Sequence, residues 1–223
     1  MPTLDGSWTG RLRFIGDLER PDHYYLTEED RCFFLGEYTA RAGWQHSSTN
    51  RLIINLKKKR ETRHTPQWAH KQRAIHDIAQ VISRNLNAAA LANTMIVPIP
   101  PSKPAGNPGY DDRMVRVAHA INSPAVVNEV LVTTCEREAM HVAQHRRDRD
   151  ALRATLAVRA NLIPAITNQI ILLDDVLTTG CSFGVCKSML LEHCPDAKVL
   201  GIFVARRVID HSVDWGDLDL LNI

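Results

Sequence analysis

Residues 169–190 read QIILLDDVLTTGCSFGVCKSML, and they decide how the rest of the chain is read. Four apolar residues, Ile170 to Leu173, run into two adjacent aspartates, Asp174 and Asp175. The turn Thr178-Thr179-Gly180-Cys181-Ser182 follows, and then a helical stretch to His193. A short apolar run bounded by turn residues predicts a buried strand. Neighbouring like charges at its end resist desolvation and need compensation, which a ligand would provide. The plainer account is that the aspartates cap the helix, since Asp commonly precedes helices.

Working outward, short apolar runs alternate with helical patterns. TMIVPIP (94–100), AVVNEVLVT (125–133) and AKVLGIFVA (197–205) predict strands. DDRMVRVAHAI (111–121) is an amphipathic helix, and RRDRDALRATLAV (146–158) a helix followed by an extended segment. PQWAHKQRAIHDIAQVISRNL (66–86) spaces Trp68, Ile75, Ile78, Ala79 and Ile82 at helical intervals, with Pro66 suited to the first turn. SSTNRLIINLKKKR (47–60) offers Ser and Thr caps before a short helix that ends in four basic residues, Lys57 to Arg60. Those four suit a solvated helix end favoured by the dipole, with a phosphate or nucleic-acid patch as the alternative. HYYLTEEDRCFFLGEYTA (23–40) reads as two strands around a turn at Thr27 to Asp30. The fold class is therefore α/β, a mainly parallel sheet flanked by helices with right-handed crossovers and a small β-rich N-terminal part.

Composition narrows the function classes. The chain of 223 residues is 44% hydrophobic and 23% charged, the balance of a soluble globular protein with room for one large core. A net charge of +2 is too mild to argue for nucleic acid as a partner, although Lys57 to Arg60 and Arg146 to Arg149 keep that in view. No run is long enough to predict a membrane span, and the N-terminus lacks a signal-peptide core. Cys32, Cys135, Cys181, Cys186 and Cys194 are odd in number and lack CxxC spacing, which disfavours disulfides and zinc and predicts a cytoplasmic protein with free thiols.

The chemistry returns to the aspartates. In open parallel sheets, ligands sit beyond the carboxyl ends of the strands. A helix N-terminus after a small-residue turn offers N–H donors and dipole to an anion, and Gly180 allows close approach. Hydroxyl-accepting carboxylates beside an anion site would suit a sugar phosphate.

IILLDDVLTTGCS (170–182) resembles the phosphoribosyl-pyrophosphate (PRPP) signature of type I phosphoribosyltransferases, and all thirteen positions fit it. By that resemblance Asp174 and Asp175 would hold the ribose hydroxyls, and Val176, Leu177, Thr178, Thr179, Gly180, Cys181 and Ser182 would form the 5′-phosphate loop. Pro100-Pro101-Ser102-Lys103, after the strand at 94–100, would grip pyrophosphate; alone it would be a Pro-rich surface loop. The segment TTCEREAMHVAQHRRDRDA (133–151) sits where the family closes a loop over the reaction, so Arg137 and Arg146, with His141, Gln144, His145 and Arg147, would face the leaving group. Any one of these also fits a solvated basic helix. VPIP, GYDDR and the Arg-rich stretch make the overall order similar to the competence protein F-like (ComF-like) branch, over residues 35 to 206. Many members of that branch begin with a four-cysteine zinc module, and this chain has only Cys32 before Cys135.

The resemblance implies residues 1–60 as an N-terminal hood subdomain, 61–206 as the phosphoribosyltransferase core and 207–223 as a C-terminal segment joining the hood. It implies Mg²⁺ carried mainly by PRPP and water with no direct protein ligands, a base or nucleoside monophosphate as the second ligand, and homodimerisation as an open option. The expected function is phosphoribosyl transfer, with a non-catalytic PRPP- or nucleotide-sensing module as the alternative. Thr178 stands where the 6-oxopurine enzymes have an Asp for the base nitrogen, which argues against hypoxanthine and guanine. Tyr24, Tyr25, Phe33, Phe34, Tyr38 and Trp44 are candidates for stacking on a base, or simply core. Cys181 is either a thiol activated by the helix N-terminus or a small residue presenting its N–H.

Overall fold

The structure, a computed structural model, describes residues 7–91, 93–136, 149–164 and 167–209. Its centre is strand β7 (Gln169–Leu177), whose apolar run pairs in parallel with β3 (Thr94–Pro98) on one side and β8 (Lys198–Val208) on the other. β2 (Arg31–Thr39) pairs in parallel with β8, β4 (Val126–Val127) pairs in parallel with β3, and β1 (Trp8–Phe14) closes the β2 edge antiparallel. The six-stranded order is β1-β2-β8-β7-β3-β4, so residues 7–39 supply two strands of the main sheet. β5 (Leu131–Thr133) and β6 (Leu156–Val158) form a separate antiparallel pair. The α/β class and the mostly parallel sheet are thus as the alternating pattern predicts.

Alternation along the strands sends side chains to two cores. Ile170 and Leu172 join Phe34, Met95, Val97 and Phe203 on one face, covered by α5 (Cys181–Leu191). Ile171 and Leu173 join Leu35, Ile96, Ile202 and Val204 on the other, covered by α1 (Ser48–Leu56), α2 (Gln67–Asn85) and α3 (Arg113–Ala120). α1 starts where the serine pattern puts it: the Asn50 N–H donates to Ser47 Oγ at 3.0 Å. In α2, Ile75, Ile78, Ala79 and Ile82 are buried at the predicted spacing, while Pro66 takes the N-cap place just outside the helix.

Two segments differ from expectation. No strand covers 23–26; Pro21 opens a 3₁₀ turn over Arg20–His23, and β2 takes its antiparallel partner from Trp8–Phe14. The stretch 125–133 splits into β4 and β5, which belong to different sheets. Among the described residues, no helix is long and apolar enough to cross a membrane. All five cysteines are unpaired thiols, four of them buried and Cys135 exposed.

Candidate functional site

β3 and β7 part company at the site. Their ladder ends at Pro98 opposite Leu173 and is closed by the Ile99 N–H donating to the Leu173 carbonyl at 2.9 Å. On the other side β7 stays paired with β8 as far as Leu177 opposite Arg206. Asp174 and Asp175 therefore lie within the strand, on a step where one neighbour has left, rather than beyond its end as the sequence suggests. A pleated strand gives adjacent residues opposite directions, and the two carboxylates meet different surroundings.

Asp175 is 5% exposed and its charge is met by the protein itself. Arg113 Nε donates to Asp175 Oδ2 at 2.7 Å, an Arg113 terminal nitrogen donates to the same oxygen, and Lys57 Nζ lies 3.3 Å from Oδ1. Burial alone would push the Asp175 carboxyl up, but Arg113 and then Lys57 outweigh it and hold the group well below the usual carboxylate range. Arg113 also donates to Asp111 Oδ2 at 2.7 Å, and Asp111 Oδ1 takes a bond of 2.7 Å from Lys71, which is 1% exposed. Lys71 completes its own set with the Lys58 carbonyl at 2.7 Å. The result is a continuous chain of alternating charge, Lys57–Asp175–Arg113–Asp111–Lys71.

Asp174 receives far less. Its Oδ1 accepts the Asp175 N–H at 2.7 Å, and burial, then the charge on Asp175, push its carboxyl above the ordinary range. It lines a cavity of about 30 Å³ together with Pro100, Pro101, Asp111 and Arg113. That volume is about one water, and it joins the aspartate to the first two residues of the proposed pyrophosphate turn. Beyond it, Pro100, Pro101 and Lys103 line a cleft of about 470 Å³ that Tyr110, Glu129 and Arg159 also border. Ser102 is exposed and is not among the residues lining either space. Lys103 Nζ is 3.2 Å from Glu136 Oε1, an exposed pair of small energetic weight.

The turn 178–182 is braced from behind by the segment that was expected to be a strand. The Thr178 carbonyl accepts from His23 Nδ1, and the Thr179 carbonyl accepts from the Tyr25 N–H at 2.9 Å. A carbonyl can only accept, so His23 carries its proton on Nδ1; burial lowers its pKa and keeps the ring neutral. Gly180 has φ 84°, the left-handed region, and stands as N-cap of α5 with no side-chain hydrogen bond closing that helix start. A Cβ there would lie 2.8 Å from the Leu26 side chain. The glycine is thus required by its own backbone and by Leu26, apart from any approach of a ligand. Asp30 anchors the bracing turn, accepting from Lys187 of α5 at 2.6 Å.

Cys181 is 1% exposed and packed in the core, which shields its thiol from solvent and disfavours the activated-thiol reading. The six aromatic candidates do not gather at one place: Phe34 is core, Phe33 meets Phe14 in a tilted pair at 5.5 Å, Tyr38 packs on the opposite face, Trp44 is exposed, and the exposed Tyr24 lies 4.9 Å from the Tyr25 ring. Only Tyr25, with Arg149 5.3 Å from its ring, adjoins the turn. Arg137, His141, Gln144, His145, Arg146 and Arg147 lie outside the described residues, as does residue 210 onward. Among the described residues, no three His, Cys, Asp or Glu side chains converge as metal ligands.

Sequence reasoning missed Arg113, Asp111, Lys57 and His23 as parts of this site. GYDDR (109–113) held two of them, and the need of a buried acid pair for cations was the signal that pointed there. Comparison of the chain with protein-family models and with curated proteins finds no match.

Proposed function

We propose that this chain binds PRPP with Mg²⁺ at the carboxyl edge of β7, β3 and β8 and transfers its phosphoribosyl group to or from a nitrogenous base, in a type I phosphoribosyltransferase fold. The observation that carries the reading is the position of Asp174, a poorly compensated carboxylate that shares a cavity with Pro100 and Pro101 on the strand that leads into the Gly180-capped start of α5. Such a carboxylate gains from accepting hydroxyl protons, because a hydrogen bond to the charged form offsets its desolvation. The ribose hydroxyls fall to Asp174, with Asp175 as the group that fixes Arg113 and the strand end. The 5′-phosphate falls to the α5 start, where dipole and N–H donors favour an anion. The pyrophosphate falls to the cleft beside Pro100, Pro101 and Lys103.

The aspartate pair suits a Mg²⁺ that arrives on pyrophosphate, since Asp175 is already met by cations and, of the two, Asp174 is the one that offers oxygen to the ion's water shell. Bound there, Mg²⁺ would neutralise charge on the departing pyrophosphate. Loops following β2 and β3 emerge at the same edge because these strands run parallel to β8 and β7, and the acceptor's hood belongs to them. Thr178 keeps hypoxanthine and guanine out of the expected acceptors. The alternative is a PRPP or nucleotide sensor that uses the same site without turnover.

Pyrophosphate release from PRPP and Mg²⁺ across a panel of bases tests both. Release with one base, abolished in Asp174→Asn, supports transfer. Calorimetric PRPP binding with no release on any base supports the sensor. If neither PRPP nor any nucleoside monophosphate binds in the presence of Mg²⁺, both readings fall.

A further inference from the structure

The four-residue basic run does not act as one patch. Lys57 goes to Asp175, the Lys58 carbonyl caps Lys71, and Arg60 turns elsewhere, opening the 3₁₀ turn Arg60–His64. In a 3₁₀ helix, side chains three apart eclipse, so Arg60 and Arg63 leave the turn on one side. The turn is pinned by Thr62 Oγ1 donating to the Lys59 carbonyl at 2.7 Å and by the Thr65 N–H donating to the Thr62 carbonyl at 2.9 Å. Both arginines line a cavity of about 430 Å³ that Arg116 of α3 also lines. That volume is within the range of small-molecule sites.

The charges of this cavity do not balance. Lys71 on its floor is matched by Asp111, and Asp112 is the one remaining acid against three guanidiniums. Arg116 donates to the neutral Gln72 side chain and lies 5.6 Å from the Trp68 ring. Neither Arg60 nor Arg63 has a side-chain hydrogen bond or ion pair among the described residues. Three guanidiniums around one concavity repel one another, and each presents a planar fork of donors that matches phosphate oxygens.

We infer that the cavity between the 60–64 turn, the start of α2 and the start of α3 is a second anion site, which takes a ligand bearing a chain of two or three phosphates. It is separate from the PRPP site proposed above, since Asp174 and the 178–182 turn do not line it. A chain of phosphates carries more negative charge than a single one, and its length suits a cavity of this volume better, so it can answer Arg60, Arg63 and Arg116 together. Tyr110 and Asp112 line both this cavity and the cleft beside Lys103, and so form the partition between the two.

Calorimetric titration of the whole chain with inorganic tripolyphosphate, ATP and GTP, each without PRPP, tests the site. The expected result is binding of tripolyphosphate, weakened at least tenfold in Arg60→Gln/Arg63→Gln and unchanged in Asp174→Asn. Both arginines are exposed, so an unchanged melting temperature will show that the double variant folds. Tighter binding of ATP or GTP than of tripolyphosphate assigns the natural ligand as a nucleotide, and equal binding assigns it as the phosphate chain alone. The inference is overturned if none of the three binds, if the double variant binds like wild type, or if Asp174→Asn abolishes binding. It is also overturned if a single-stranded oligonucleotide binds where tripolyphosphate does not. PRPP binding measured in parallel keeps the two proposals apart: its loss alone sinks the phosphoribosyl reading, and loss of tripolyphosphate binding alone sinks this one.

Discussion

Two adjacent carboxylates of one strand titrate in opposite directions, and the sign of each follows from its neighbours. Asp175 is held low by Arg113 and Lys57, so it contributes stability that is complete above the ordinary Asp value of about 4 and is lost as pH falls below it. Asp174 is held high by burial and by Asp175, so the folded state takes up a proton that the unfolded chain has released. Stability from Asp174 is therefore present below about pH 4 and declines as pH rises toward its raised folded value. Replacing each in turn separates them. Asp174→Asn should be more stable than wild type at pH 8 by about 1 kcal/mol or more, the worth of one pKa unit, with the gap closing toward pH 4. Asp175→Asn should be less stable than wild type by about 2 kcal/mol at pH 8, because Arg113 keeps only Asp111 as a charged partner and Lys57 keeps none at this place, with the gap closing only in acid. Urea unfolding of the three proteins at pH 3, 5 and 8 reads both signs. A wild type that loses nothing between pH 5 and 8 relative to Asp174→Asn would refute the first. The carboxylate that costs the fold stability is the one assigned to the ligand, the usual direction of a trade between stability and function.

The element that carries the site is a strand, turn and helix whose turn is shaped by a distant segment. Gly180 meets two independent constraints, a left-handed φ and the Leu26 side chain. A left-handed non-glycine residue costs roughly 1–2 kcal/mol, and forcing a methyl into a filled space typically about 1–3 kcal/mol. Gly180→Ala should accordingly lose about 2–5 kcal/mol in chemical unfolding. Gly180→Ala/Leu26→Ala, compared with Leu26→Ala alone, should lose only the backbone share, about 1–2 kcal/mol. Equal losses in the two backgrounds would mean that Leu26 does not shape the turn. The strand, turn and helix themselves were legible at 169–190, because an apolar run, paired acids and a glycine turn are all local signals. The brace was not. His23, Tyr25 and Leu26 look strand-like in sequence, and only the pairing of β2 with Trp8–Phe14 frees them to lie against 178–180. Long-range competition for a strand partner is invisible to a period-two pattern.

Across the molecule, the alternation of apolar runs and helices was enough to give a mainly parallel sheet flanked by helices, since period and length are written in each segment. What it did not give was the cation supply of Asp175, which comes from three separate places: the end of α1, the start of α3 and, through Asp111, the start of α2. Each is unremarkable in its own segment, and Lys57 in particular looks like a solvated helix end. Together they run from the basic cavity wall at Lys71 to the proposed ribose site without a gap. Two ligands that draw on the same charges cannot bind independently. A polyphosphate beside Lys71 competes with Asp111 for that cation and leaves Asp111 more fully to Arg113, which changes how Arg113 holds Asp175. With both proposed sites occupied, the PRPP affinity at saturating tripolyphosphate should differ from that of the free protein by about fivefold or more, a coupling of about 1 kcal/mol. The tripolyphosphate affinity should shift by the same factor at saturating PRPP, because linkage is reciprocal. Asp111→Asn, which weakens the middle of the chain of charges while leaving Arg60, Arg63 and Asp174 in place, should reduce both factors toward one. Calorimetric titrations of each ligand with and without the other measure all of these affinities. Independent binding in wild type would refute the coupling, as would undiminished coupling in Asp111→Asn.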